Sequence, residues 1–88
     1  MGVDPELERL REQVTAVDSS IVDAFNRRLE LVAQIKRHKD EHGIAFLDPD
    51  RERAMLDQQS HANRGPLSDD GLRALYAELL ALTKRELG

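Results

Sequence analysis

Cysteine and tryptophan are both missing from this sequence, and its aromatic side chains are only Phe25, Phe46 and Tyr76. Without cysteine there is neither a disulfide framework nor a thiolate metal site, which is compatible with a reducing cytoplasm. Proline occurs only at Pro5, Pro49 and Pro66, and no glycine or proline interrupts the chain between Pro5 and Gly43. That long stretch therefore contains no helix breaker. Cations are not in surplus either: 13 Lys and Arg stand against 17 Asp and Glu, for a net charge of -4. This balance argues against nonspecific nucleic-acid binding, which needs an excess of cations facing phosphates. A small anionic ligand needs only a local cluster and stays possible. No apolar run approaches a membrane span, and Met1-Gly2-Val3-Asp4 shows no basic targeting region or myristoylation pattern, so a soluble, cytoplasmic protein without membrane attachment is expected.

Charged residues make up 34% of the chain against 3% aromatics, a composition that suits helices better than sheets. The 88 residues fit one domain, 1–88, but at this size the core of a single chain is marginal. Asp4-Pro5 supplies a cap and a first-turn proline, and a helix over about residues 5–42 follows. Its apolar positions Leu7, Leu10, Val14, Val17, Ile21, Ala24, Leu31 and Ile35 alternate spacings of three and four, as a heptad seam does. Phe25 and Val32 widen the stripe. Such a helix runs to roughly 57 Å, whereas a compact globule of this length is only about 30 Å across. Part of it must then be covered by another chain.

Gly43 is a C-terminal cap candidate, and Ile44 to Leu47 read as a connecting loop. Asp48-Pro49 repeats the cap-and-proline start and opens a short helix over about 49–63, with Met55, Leu56, Gln59 and Ala62 on its inner face. Asn63-Arg64-Gly65-Pro66 stops it. Ser68 with Asp69 and Asp70 begins a third helix over about 68–86, carrying Leu72, Leu75, Tyr76, Leu79, Leu80 and Leu82. The fold class expected is all-α, with one very long, one short and one medium helix per chain in an intertwined helical homodimer.

Several charged residues fit this seam poorly. The heptad position after Ala24 holds Arg28, and a guanidinium on a buried seam costs several kcal/mol unless an anion meets it. A structural reading pairs it with a carboxylate of a neighbouring helix or lets it snorkel. Lys39 lies about three turns further along nearly the same face, where a lysine also complements the helix dipole. Asp48 and Glu52 share a face of the second helix, with Arg51 between them, although Asp48 also reads as a plain N-cap and the others as surface ion pairs. Arg11 flanks seam residue Leu10. Thr83 sits on the apolar side of the third helix, where a hydroxyl commonly bonds back to a carbonyl one turn earlier. His38 and His42 are four apart, but without a third ligand they read as cations opposing the helix dipole, so no metal is expected. There is no Gly-rich phosphate loop and no nucleophile-base-orienter set.

Leu10-Arg11-Glu12, then Asp18, Arg27-Arg28, Lys39 and Asp48-Pro49-Asp50-Arg51-Glu52-Arg53 together resemble the pattern of the helical chorismate mutase family over roughly residues 7 to 83. Each element is weak by itself, whereas the set in correct spacing is specific. The resemblance implies an entwined dimer of three-helix subunits that rearranges chorismate to prephenate on the way to phenylalanine and tyrosine, without a cofactor. It implies that Arg28, with Arg11 of the opposite subunit, clamps the two substrate carboxylates, and that Lys39 bonds a carboxylate and the ether oxygen of the breaking bond. By the same resemblance Asp48 and Glu52 receive the ring hydroxyl, Arg51 completes a cationic wall, and Thr83 stands where the family has a carboxylate-binding serine. Lys39, Arg28 and Glu52 are the catalytic candidates.

Elementary chemistry agrees with these roles, because a unimolecular rearrangement needs a frozen conformer and a stabilised ether oxygen rather than a proton shuttle. Arg11 and Lys39 are separated by about 42 Å along one helix, so one small molecule can reach both only across two antiparallel chains. The sequence departs from the family at its C-terminus, where Leu87, preceded by Glu86, replaces a glutamine that gives the ether oxygen a second hydrogen bond. Leucine cannot donate, and Glu86 can do so only when protonated. Low intrinsic activity is therefore expected, or activity restored at acid pH or by a partner; some relatives gain activity in complex with 3-deoxy-D-arabino-heptulosonate 7-phosphate synthase. Three other readings stay open: an isochorismate pyruvate-lyase on the same scaffold, a noncatalytic helical dimerisation or regulatory module, and a mutase domain excised from a bifunctional enzyme.

Overall fold

The computed structural model describes residues 4–88; Met1, Gly2 and Val3, on which the expected lack of a targeting start partly rests, lie outside the described residues. The chain forms three helices, α1 (Pro5–Glu41), α2 (Pro49–Ala62) and α3 (Asp69–Leu87), and no strand among the described residues. The expected all-α, long-short-medium architecture is present. Among the described residues no helix is long and apolar enough to cross a membrane.

Local chemistry sets the ends of each helix. Asp4 Oδ1 accepts from the backbone N–H groups of Glu6 at 3.0 Å and Leu7 at 3.2 Å, satisfying two of the donors that a helix start leaves unpaired. At the other end of α1, Gly43 adopts φ +65°, the Ile44 N–H reaches the Lys39 carbonyl at 2.8 Å, and the Gly43 N–H approaches the Asp40 carbonyl at 3.5 Å. This is a Schellman closure, and it ends the helix at Glu41, one residue before the expected stop. Asp48 caps α2 by accepting from the Arg51 N–H at 3.0 Å, with Pro49 in the first turn. Asn63 leaves the helical region at φ -68° and ψ 119°, so α2 finishes at Ala62. The Asn63 amide then braces the turn, donating to the Leu67 carbonyl at 2.8 Å and accepting from the Gly65 N–H at 3.0 Å. Ser68 lies outside α3 as its cap, its hydroxyl accepting from the Gly71 N–H at 3.0 Å.

The chain divides into two units at Val32–Ala33. The first is the N-terminal stretch of α1. There the seam residues Leu7, Leu10, Val14, Val17 and Ile21 are between 42% and 61% exposed. Some polar side chains of this stretch make local contacts: Thr15 bonds back to the Arg11 carbonyl and Ser20 to that of Ala16, while Glu6–Arg9 and Glu8–Arg11 pair one turn apart. Such exposed pairs add only a few tenths of a kcal/mol each, on the order of helix i,i+3 pairs in general.

The second unit, Ala33–Gly88, contains the end of α1, α2 and α3. Tyr76 and Thr83 on α3 are the only buried residues among those described; Met55, Leu56, Leu72, Leu79, Leu80 and Leu82 are half-buried. Gln59, Ala62 and Leu75, expected on inner faces, are exposed. A polar knot adds to the packing of α2 with α3. The Ser60 hydroxyl donates to the Asp69 carboxylate, and Arg73 Nε donates to the other Asp69 oxygen at 2.8 Å while its Nη2 approaches Asp57 at 3.8 Å. The Ser60 hydrogen bond first, and then the Arg73 hydrogen bond, hold the Asp69 carboxyl below the ordinary carboxylate range.

Candidate active site

Within the second unit, the last turns of α1 present two ammonium groups to the loop that follows. Lys39 is half-buried, and its Nζ donates to the Phe46 carbonyl at 3.2 Å. The Schellman closure makes this contact possible by turning the chain back so that the loop passes the lysine it has just left. Lys36, one turn earlier and also half-buried, donates from Nζ to the Leu87 carbonyl at 2.9 Å, at the C-terminal end of α3. The Lys39 and Lys36 ammonium groups stand 5.9 Å and 5.5 Å from the centre of the Phe46 ring, within range of a cation–π attraction.

The residues expected from α2 fall in its first turn. Glu52 is half-buried, and its Oε1 meets Lys84 Nζ from α3 at 3.2 Å. Asp48 acts as the helix cap, the structural role open to it from sequence, with its carboxylate on the Arg51 N–H. Arg51 itself is exposed. On α3, Thr83 is 5% exposed and its hydroxyl donates to the Leu79 carbonyl at 2.7 Å, the back-bond typical of a helical threonine. Glu86 is exposed, and Leu87 is half-buried with its carbonyl taken up by Lys36. The structure thus brings Glu52 against α3 and Lys39 against the Phe46 carbonyl.

Arg11 and Arg28 belong to the first unit. Arg11 is exposed and pairs with Glu8 at 3.3 Å, whereas Arg28 is half-buried on its seam position. Among the described residues no group of His, Cys, Asp and Glu is arranged to hold a metal. His38 and His42 stack with ring centres 4.2 Å apart, and His42 Nδ1 lies 2.8 Å from the His38 carbonyl, which commits that nitrogen to the backbone.

Sequence reading passed over Lys36 and Lys84. The signal for Lys36 was its spacing of three from Lys39, which puts both on one face of α1. Lys84 carried no comparable signal, because its partner lies on another helix. Lys84 is the cation that meets the partly covered Glu52 carboxylate, while Lys39 and Lys36 meet the Phe46 and Leu87 carbonyls. A lysine ammonium acts as a point charge toward an anionic ligand, whereas the two-pronged grip on a carboxylate belongs to arginine.

Residues 10–86 match the sequence profile described as chorismate mutase type II. The T-protein of Haemophilus influenzae is 35% identical over 65 residues, covering 73% of this chain and 17% of that protein. The 4-amino-4-deoxychorismate mutase of Streptomyces venezuelae is 39% identical over 46 residues, covering 52% of this chain and 45% of that protein. The chain spans less than half the length of the curated relatives it matches. Among solved structures, form I of the chorismate mutase from Thermus thermophilus superposes with a TM-score of 0.86 at 32% identity, covering 89% of this chain and 98% of that one. With the profile matched across nearly the whole sequence and the same three-helix fold in a solved relative, the chain belongs to the chorismate mutase type II family.

Proposed function

We propose that this chain is a chorismate mutase acting as a homodimer in the cytoplasm, converting chorismate to prephenate for phenylalanine and tyrosine synthesis. In that reaction the ether C–O bond breaks as a C–C bond forms within one molecule, so no proton, electron or cofactor is consumed. The catalytic requirement is to hold a compact conformer and to stabilise charge at the ether oxygen. Arg28 of one chain and Arg11 of the partner subunit clamp the two carboxylates, Lys39 bonds a carboxylate and the ether oxygen, and Glu52 with Asp48 receives the ring hydroxyl. Arg51 adds positive potential, and Thr83 is the hydroxyl beside a carboxylate. The match of residues 10–86 to the family carries this reading. The exposed seam from Leu7 to Ile21 supports the second chain, since a heptad face of this length is stable only when covered.

Leu87 stands where the family has a side-chain donor, and Glu86 beside it is exposed. The free protein is therefore a slow enzyme at neutral pH, and 3-deoxy-D-arabino-heptulosonate 7-phosphate synthase is the proposed activator. The test follows chorismate consumption by the purified protein, alone and with that synthase, beside Lys39→Ala and Arg28→Ala. Loss of one hydrogen bond to developing charge lowers turnover by about a hundredfold or more. Wild-type and variant traces that both equal buffer, with the synthase present, would refute the assignment.

A further inference from the structure

Glu52 is held by a cation from the facing helix. Lys84 Nζ lies 3.2 Å from Glu52 Oε1, and the two side chains are 47% and 33% exposed. Lys84 directly follows Thr83, which is only 5% exposed, so the lysine stem leaves α3 from a turn that packing fixes. Asp48, at the cap of this helix, spends one carboxylate oxygen on the Arg51 N–H. Of the two carboxylates assigned to the ring hydroxyl, Glu52 is the one that carries an ammonium at one oxygen.

A carboxylate in that state discriminates by charge. Its negative charge is largely met, so it accepts readily from a neutral hydroxyl, while a second ammonium brought to it faces the first one a few ångströms away. The matched relatives pose this choice chemically. Chorismate carries a hydroxyl on its ring, whereas 4-amino-4-deoxychorismate, named in the Streptomyces venezuelae relative, carries an amine at that carbon, and an aliphatic amine is protonated near neutrality.

We propose that Lys84 is a specificity-determining residue, selecting a substrate whose ring bears a neutral hydroxyl and rejecting one whose ring bears an ammonium. This rests on the placement of the ring hydroxyl at Glu52 in the reading above. Two like charges about 5 Å apart at a partly hydrated site repel enough for discrimination on the order of tenfold to a hundredfold. Lys84 exerts this effect through the carboxylate it neutralises and need not touch the bond that breaks.

The experiment measures kcat/KM for chorismate and for 4-amino-4-deoxychorismate on the wild type, Lys84→Met, Lys84→Gln and Lys84→Arg, with a melting curve for each. The wild type should favour chorismate. Lys84→Met should raise the amine-to-hydroxyl ratio of kcat/KM about tenfold or more, chiefly through KM for the amine substrate, and Lys84→Arg should hold the wild-type ratio within a few-fold. Lys84→Gln gives the same readout if the methionine variant fails to fold. A ratio equal in wild type and both neutral variants, or a wild type that prefers the amine, overturns the role of Lys84 while leaving the mutase reading intact. A wild type that rearranges neither acid, even with the activating synthase, brings down the mutase reading and this inference with it.

Discussion

Replacing Val17 by aspartate tests the covered seam directly. Val17 is 58% exposed in the single chain. Full burial of a valine-sized side chain is favourable by about 1.5–3 kcal/mol, so completing it here supplies roughly 1–1.5 kcal/mol per chain. A twofold interface counts each position twice, giving about 2–3 kcal/mol per dimer. Val17→Asp forfeits that sum and adds two carboxylates that must be desolvated or left as gaps in the contact. A combined loss of about 5 kcal/mol raises the dimer dissociation constant more than about a thousandfold. Sedimentation equilibrium over a wide concentration range reads this, and Ser19→Asp on the opposite face of the heptad provides a control of equal charge. Because Arg11 of the partner subunit belongs to the proposed site, turnover of Val17→Asp should fall together with the dimer fraction. Equal dissociation constants for Val17→Asp, Ser19→Asp and wild type would refute the seam as an interface.

Two further outcomes follow from the local geometry. Gly43 sits at φ +65° with open space where a Cβ would be, so Gly43→Ala costs about 1 kcal/mol through backbone strain alone and Gly43→Asn costs less, as denaturant titration will read; an unchanged midpoint for alanine would contradict the Schellman cap. Asp69 is held below the ordinary carboxylate range by Ser60 first and Arg73 second, so its contribution to stability is present above the pH at which an unfolded carboxylate titrates and vanishes as pH falls through the lower native value; Ser60→Ala should therefore lower the melting temperature near neutrality and converge with wild type in strong acid, and a constant gap across that range would count against the linkage.

The legible parts of this fold are those written in adjacent residues. Asp4, Asp48 and Ser68 cap their helices through side-chain oxygens two or three residues from the donors they satisfy, so a short window of sequence contains the whole interaction. At Asn63 and Ser68 the helix boundaries moved by a residue because the cap residue stands outside the helix it ends. Inner faces were less legible. Period alone does not tell which of several apolar positions meets a neighbour, so Leu75 and Ala62 joined the expected core, although both are exposed. The site divides along the same line. Arg28 and Lys39 drew notice as charges out of place on a seam, whereas Lys36 and Lys84 look like surface lysines until α3 is set beside the end of α1 and α2. Lys36 meets a carbonyl 51 residues away, a contact that no local pattern encodes.

What the lysines bind in the absence of substrate bears on how well they can bind it. Lys39 and Lys36 hold neutral backbone carbonyls, of Phe46 and Leu87, and only Lys84 of the three holds a charged partner. On the proposed reading, a substrate carboxylate at Lys39 exchanges a neutral acceptor for a charged one, which strengthens the bond roughly twofold and leaves the Phe46 carbonyl to share the ammonium or turn to water. That exchange is favourable, and the present contact keeps the lysine in a restricted geometry beforehand, which lowers the entropy lost on binding. Lys84 is in the opposite position. Its partner is already an anion, so a substrate carboxylate gains little by displacing Glu52, and the ion pair should persist when the site fills. On the proposed reading, the Lys84–Glu52 pair on the α2–α3 side therefore keeps its form as the ligand binds and sets which ring substituent is accepted.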